Sequence, residues 1–582
     1  VAFVFPLNFI SPPFPLSIHI YLKLIRSIPS SRHGDSTEYN ISRSFISINK
    51  ERFPFSPKMF EDILYRSSQM LLAVVCFVFN HILALIYGRR GKCVSAIRNP
   101  ILMRSATKLA QEIREGKLKS EEAVQAYIDR ILEVEPYINA TVDRCFQDSL
   151  RQAREVDALV ASGKYTNDQL AEEKPLLGVP FSVKVLFHVK GLPYRGASKF
   201  FESKIATEDA CAVALMRKAG AILIATTNSA EMGIFTETVN KAHGRTCNPY
   251  DTSRTSGGSS GGESALVSAG GSLIGLGNDL GGSVRIPAHL TGIFGHKPTA
   301  GLVSNLGSVP VFPNQTLQPM HLELYKYLIP GPLCRYAEDL LTIMKVLSSE
   351  SKLKVNFNRQ VDFKKLKVRY LTNIRSPFVA PVDKEIAVAV KSAATFFERK
   401  CNTVAKEVKM SSLFDINRCT FSVLMRFINH FRNELDISIN FEFLKSLCGK
   451  SKMMLSTALV LLISANRLVY REDRIAYYAG MIKGLKKEFD DILDEDTVLL
   501  MPTVPYLAPY HYGTLPFMFS CCYTLIMNIL GLPSTQCPIG FSKQNLPYGI
   551  QIVGRKGNDA LTIACAVELE KAFGGWKPPG EL

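Results

Sequence analysis

Residues 257–288 read GGSSGGESALVSAGGSLIGLGNDLGGSVRIPA, and this window constrains the chain more than any other. It holds two serine clusters, Ser259-Ser260 and Ser283, each set among glycines and followed by Arg285 and Pro287. Glycine lets a backbone turn sharply and approach another group closely. A flexible Gly/Ser linker is one reading of such a composition. Linkers do not need the apolar Leu266, Val267, Leu273, Ile274 and Leu276, nor the Asp279…Arg285 pair. Far upstream, Lys184 sits in VPFSVKV. Two serines and a lysine suffice, in principle, to hydrolyse an amide without histidine.

The flanking sequence predicts an α/β fold. LGVPFSVKV (177–185) reads as a strand, with Phe181, Val183 and Val185 on one face and Ser182 and Lys184 on the other. Residues 209–219 read as a helix and 221–225 as a strand. The window itself supplies a short helix at 264–269 and a short strand at 272–277. Ser120, before EEAVQAYIDRILEVEP, is expected to cap a helix. Strands at 498–501 and 546–554 follow a more helical, basic stretch at 350–495. This alternation predicts a β-sheet covered by helices.

Other chemistries compete for the window. Gly257-x-Ser259-x-Gly261 and Gly258-x-Ser260-x-Gly262 both fit a G-x-S-x-G nucleophile elbow. An elbow needs a strand immediately before the serine, and NPYDTSRTS is a run of turn formers. A phosphate-binding G-x-x-x-x-G-K-[ST] loop is missing from the window. No paired His/Cys spacing suggests a metal, and no cofactor is expected.

The run QMLLAVVCFVFNHILALIY (69–87) carries no charge. At about 1.5 Å per residue it extends roughly 28 Å, close to a bilayer core. Arg89, Arg90 and Lys92 follow it, so residues 68–88 are expected to be a transmembrane anchor with the following domain cytoplasmic. A signal peptide and a buried core helix are the alternatives. Residues 1–58 show no clear period; Met59 is the first methionine, and the preceding stretch is expected to be untranslated or a disordered arm. Residues 96–582 form the expected catalytic domain. The net charge is +17, but the basic residues are scattered, which favours a membrane surface over nucleic acid. A second apolar run, 453–463, followed by Arg467, Arg471 and Arg474, reads equally as an interfacial helix or a core helix. The thirteen cysteines contain no CxxC motif and read as buried free thiols.

The window resembles the signature of the amidase signature family position by position: glycines and serines 257–262, then Asp279, Gly281, Ser283, Val284, Arg285 and Pro287. Gly178-Val-Pro…Val183-Lys184, Thr227-Asn228…Glu231 and Gly244…Asp251 are similar to further blocks of that family. So are Asn528…Pro533 and Gly549…Gly554. GIFGHKP (292–298), CRYAEDL (334–340) and LEKAFGGW (569–576), with an anchor helix ahead of the domain, resemble its fatty-acid amide hydrolase branch. The resemblance implies a mixed twisted β-sheet with helices on both faces. It implies Ser283 as nucleophile, Ser259 on a cis peptide as proton relay and Lys184 as base. The backbone N–H groups of Leu280, Gly281, Gly282 and Ser283 would form an oxyanion hole. Ser260, Asp279 and Arg285 would support the loop. An ammonium cannot accept a proton, so Lys184 must be held neutral by burial. The family usually carries an acidic residue after this lysine, where this chain has Val185.

A fatty-amide hydrolase is thus the leading expectation, with a lipid amide substrate, a membrane, and a homodimer as partners, and no nucleic acid. It would be single-pass, in the endoplasmic reticulum or on lipid droplets. An amidase for other amides, the glutamine-amidase subunit of a tRNA amidotransferase, and a catalytically silent membrane scaffold are the alternatives.

Overall fold

The computed structural model describes residues 57–308, 326–433, 435, 437–466 and 474–581. Residues 1–56 of the N-terminal extension, and Arg467 and Arg471, lie outside them. Leu64–Leu582 form one compact unit.

Among the described residues, its centre is an eleven-stranded mixed sheet. In chain order the strands are β1 (Thr141–Arg144), β2 (Pro180–Lys184), β3 (Ile222–Thr227), β4 (Ile274–Asp279), β5 (Phe294–Lys297) and β6 (Ile329–Cys334). They continue as β7 (Lys367–Tyr370), β8 (Lys406–Glu407), β9 (Thr497–Pro502), β10 (Ser534–Phe541) and β11 (Pro547–Gly554). Their spatial order is β1-β3-β2-β4-β6-β5-β10-β11-β9-β7-β8. β2 runs parallel to both β3 and β4, with Lys184 opposite Thr227 and Val183 opposite Leu276. The parallel strands β2 and β4 therefore end on the same side of the sheet, the side where α/β proteins gather their functional groups. β2, β3 and β4 are buried throughout, as expected of strands covered on both faces. The apolar core on this sheet includes Phe181, Val183, Leu223, Ile274, Leu276, Ile550 and Ile552.

The helices that matter below are α1 (Pro57–Tyr87), α2 (Ser120–Ile138), α3 (Gly261–Ser268), α4 (Arg285–Leu290) and α5 (Ile416–Asn433). They are followed by α6 (Ile439–Leu447), α7 (Leu455–Ala465) and α8 (Cys522–Ile529). Within α1, Glu61–Tyr87 has a mean hydropathy of 2.4 over its most apolar window, and it is long and apolar enough to cross a membrane. Its outer positions Met70, Leu71, Phe77 and Leu85 are exposed, between 58% and 85%.

Two local expectations change. Ser120 is the first residue of α2 rather than its cap; its N–H and that of Glu121 donate to the Asp157 carboxylate at 2.6 and 3.1 Å. The cap comes from a neighbouring helix, which no local pattern announces. The 453–463 run is mostly core: Met453, Ala458, Val460 and Leu461 are buried with Phe421, Met425 and Leu525.

Candidate active site

The window folds as turn, helix, strand, turn and helix. Gly257 takes a φ of +83°, and its hypothetical Cβ would lie 2.8 Å from Pro287 Cα. The Gly258–Ser259 peptide is cis. α3 then runs beneath β4, and the glycines of β4 make room for it. A Cβ at Gly275 would lie 2.4 Å from Glu263 Oε2, and one at Gly277 would lie 2.8 Å from Ser260 Oγ. Glycine inside a strand commonly marks such a close approach.

Lys184 ends β2 with its side chain fully buried. Its Nζ lies 2.6 Å from Ser259 Oγ and donates to Asn278 Oδ1 at 2.7 Å. Burial disfavours the ammonium and brings the Lys184 pKa down to about 7, against the opposing pull of Asp279 and Glu263. Ser283 is half-buried at the turn after β4 and lines the same cavity as Ser259 and Asn278. Its carbonyl accepts from Ser260 N–H at 3.2 Å, which joins the two serine clusters. The Ser260 hydroxyl is buried and has no hydrogen-bond partner among the described residues.

Asp279 and Arg285 form a fully buried ion pair at 2.9 Å. Asp279 also accepts from the N–H groups of Gly282 (2.7 Å) and Val284 (3.1 Å) and from Asn528 Nδ2 (3.0 Å). Arg285 donates further to Gln551 Oε1, Asn528 Oδ1 and the Thr524 carbonyl. Burial works to raise the Asp279 carboxyl, but the Arg285 charge and these hydrogen bonds prevail and hold it at about 2. Because Gly282 N–H serves this carboxylate, an oxyanion would have to share it. Leu280, Gly281 and Ser283 are the expected donors that Asp279 does not engage.

Two groups escaped the sequence reading. Asn278 holds the lysine, and Glu263 lies buried nearby, accepting from Ser182 Oγ and Thr227 Oγ1 at 2.6 Å each. Burial pushes the Glu263 carboxyl up to about 8 despite those hydroxyls and the nearby lysine, so it is largely neutral at pH 7. Val185, in the position where an acidic residue was expected, packs with Leu186 and Ala197. A carboxyl group thus stands near the lysine after all, supplied by α3.

The cavity encloses about 870 Å³ not filled by atoms, part of it open to solvent. Apart from the polar end at Ser259, Asn278 and Ser283, its walls are largely apolar: Phe235, Leu280, Phe421, Met425, Ile428 and Val460 among them. Among the described residues, no cluster of three or more His, Cys, Asp or Glu could hold a metal ion.

Residues 122–563 match the family model described as Amidase. Fatty-acid amide hydrolase 2-B of Danio rerio is 37% identical over 530 residues, covering 88% of this chain and 98% of that protein. Fatty-acid amide hydrolase 2 of Homo sapiens is 35% identical over 504 residues, covering 84% and 93%. A solved structure of a fatty acid amide hydrolase superposes with a TM-score of 0.65 at 20% sequence identity, covering 92% of this chain and 94% of that one.

Proposed function

The chain belongs to the amidase signature family and is a fatty-acid amide hydrolase-like amidase, and on that premise we propose that it hydrolyses fatty-acid amides at a membrane through Lys184, Ser259 and Ser283. The observation that carries the proposal is the 2.6 Å contact of a fully buried lysine with Ser259, at the polar end of an otherwise apolar cavity that Ser283 also lines.

In this mechanism neutral Lys184 takes a proton from Ser259, which takes one from Ser283 as Ser283 Oγ attacks the amide carbonyl. Asn278 keeps the lysine nitrogen aimed at Ser259. The carbonyl oxygen becomes an oxyanion facing the N–H groups of Leu280, Gly281 and Ser283, with Gly282 shared. Such donors are each worth about 10²–10³ in rate. The proton returns from Lys184 through Ser259 to the leaving nitrogen, because an amine departs poorly without one. The C–N bond breaks to leave an acyl-Ser283 ester, and water, activated by the same relay, releases the fatty acid. Asp279 and Arg285 hold the turn and take no proton: an Asp279 pKa of about 2 keeps it ionised.

An acyl chain fits the apolar walls of the cavity, where each buried CH₂ contributes about 0.8 kcal/mol. Glu61–Tyr87 serves as the anchor that brings the domain to amides dissolved in a bilayer. Purified protein in detergent should convert oleamide, or an N-acylethanolamine, to free fatty acid, and Ser283→Ala and Lys184→Met should not. Hydrolysis undiminished in Ser283→Ala would overturn the assignment. A wild-type protein inert towards both amides would favour a different amide or a silent scaffold.

A further inference from the structure

Behind the cavity wall lies a buried carboxylate that the mechanism does not use. Glu231 is 1% exposed, and its two oxygens hold different parts of the molecule. Oε1 accepts from Ser198 Oγ at 2.8 Å; Oε2 accepts from Met454 N–H at 2.7 Å. The Thr457 hydroxyl reaches the same carboxylate. Met454 is the N-cap residue of α7, and its own side chain makes no capping hydrogen bond. Glu231 therefore supplies from outside the acceptor that a helix N-terminus requires.

The position of this cap ties two parts of the site together. On the chain, Ala230 N–H donates to the Ser259 carbonyl at 3.1 Å. The residues after Glu231, from Met232 to Thr236, line the cavity, and Val460 of α7 lines it too. A second tether runs alongside: Lys241 Nζ donates to the Ser451 carbonyl at 2.6 Å, just before α7. α7 in turn packs in one apolar cluster with Phe421, Met425 and Ile428 of α5, all three of which face the cavity.

We propose that Glu231 is a positioning residue for acyl-chain selection: by capping α7 it fixes that wall of the cavity against the loop that carries Ser259. The proposal rests on reading the cavity as the acyl-chain site. Weakening the clasp lets the wall move while the lysine and both serines stay in place. Long chains, which depend on the wall, lose binding; short chains do not.

The test compares Glu231→Ala, Glu231→Asp and Glu231→Gln in the full-length protein, with oleamide and hexanamide as substrates. Gln keeps an oxygen for Met454 N–H, whereas Asp is one methylene too short. Glu231→Ala and Glu231→Asp should raise KM for oleamide about tenfold, the scale of one buried N–H left without an acceptor, and keep kcat within about twofold. Hexanamide turnover and labelling of Ser283 by a small fluorophosphonate should stay unchanged, and Glu231→Gln should behave as wild type. Equal losses on both substrates, or a Gln variant as impaired as Ala, would overturn the proposal. If wild type hydrolyses neither amide, the activity assignment fails, and amide hydrogen exchange across 454–465 decides the clasp separately. Faster exchange in Glu231→Ala or Glu231→Asp but not in Glu231→Gln supports it; equal exchange in all overturns it.

Discussion

The site turns on one lysine whose environment contradicts its chemistry in water. With a pKa near 7, Lys184 is half neutral at pH 7 and can accept a proton there. kcat/KM should therefore rise with pH through about 7 and level off above it, as a plot of rate against pH will show. Asp279, ionised at pH 7, pulls the Lys184 pKa upward, whereas Glu263 is largely neutral there, so Glu263→Gln should leave that rising limb in place. The same burial costs stability. The lysine is neutral when folded but charged when unfolded at any pH between about 7 and its ordinary value of 10.5. In that window the unfolded chain holds the extra proton, so this residue makes the fold more stable as pH rises. Lys184→Met should lower kcat by about 10⁴-fold or more and yet raise the melting temperature at pH 7. Lys184 stood on the polar face of an apolar strand, a weak signal by itself that the resemblance to the family's lysine block strengthened. Asn278 and Glu263 stood inside the same window and went unread, because attention to hydroxyls does not reveal which carboxyl or amide folds back on them. Gly275 and Gly277, small residues inside a strand, were the available signal.

The turn between β4 and α4 works as a unit. Asp279, Arg285 and Asn528 exchange hydrogen bonds with no solvent to replace any that is lost. Asp279→Asn leaves the Arg285 charge buried without a counter-ion, which should cost about 3–5 kcal/mol in a denaturant titration. Gly282 adopts a φ of +117°, and a Cβ there would sit 2.3 Å from Thr524 Oγ1. Gly282→Ala should displace the turn and remove activity even where the protein still folds, which circular dichroism beside an oleamide assay would separate. Strand and helix positions were largely legible at this scale: β2 and β11 fall within the segments that alternation and apolar runs marked, β9 extends one residue beyond its segment at each end, and β4 is shifted by two residues. Capping was not, because the groups that cap α2 and α7, Asp157 and Glu231, come from distant segments. The 453–463 run could not be assigned from hydropathy alone, since an interfacial helix and a core helix share that composition. Its neighbours on α5 place it in the core.

Across the whole molecule, a long apolar helix precedes a sheet whose one edge of strand ends opens into an apolar cavity. The order of eleven strands could not be read from the sequence, because β pairing joins segments hundreds of residues apart, such as Ser534 with Lys297. If α1 is the anchor, deleting residues 57–88 should move the protein from the membrane pellet to the supernatant while hydrolysis of detergent-dispersed oleamide persists. A truncated protein that remains wholly in the pellet would contradict that role.

The central claim is that a neutral buried lysine activates Ser283 through Ser259. Fluorophosphonate labelling followed by peptide mass mapping tests it most directly. The adduct should form on Ser283, vanish in Ser283→Ala, and form far more slowly in Lys184→Met and below pH 6 than at pH 8. An adduct on another residue, or labelling of Ser283 at the same rate without Lys184, would contradict the account.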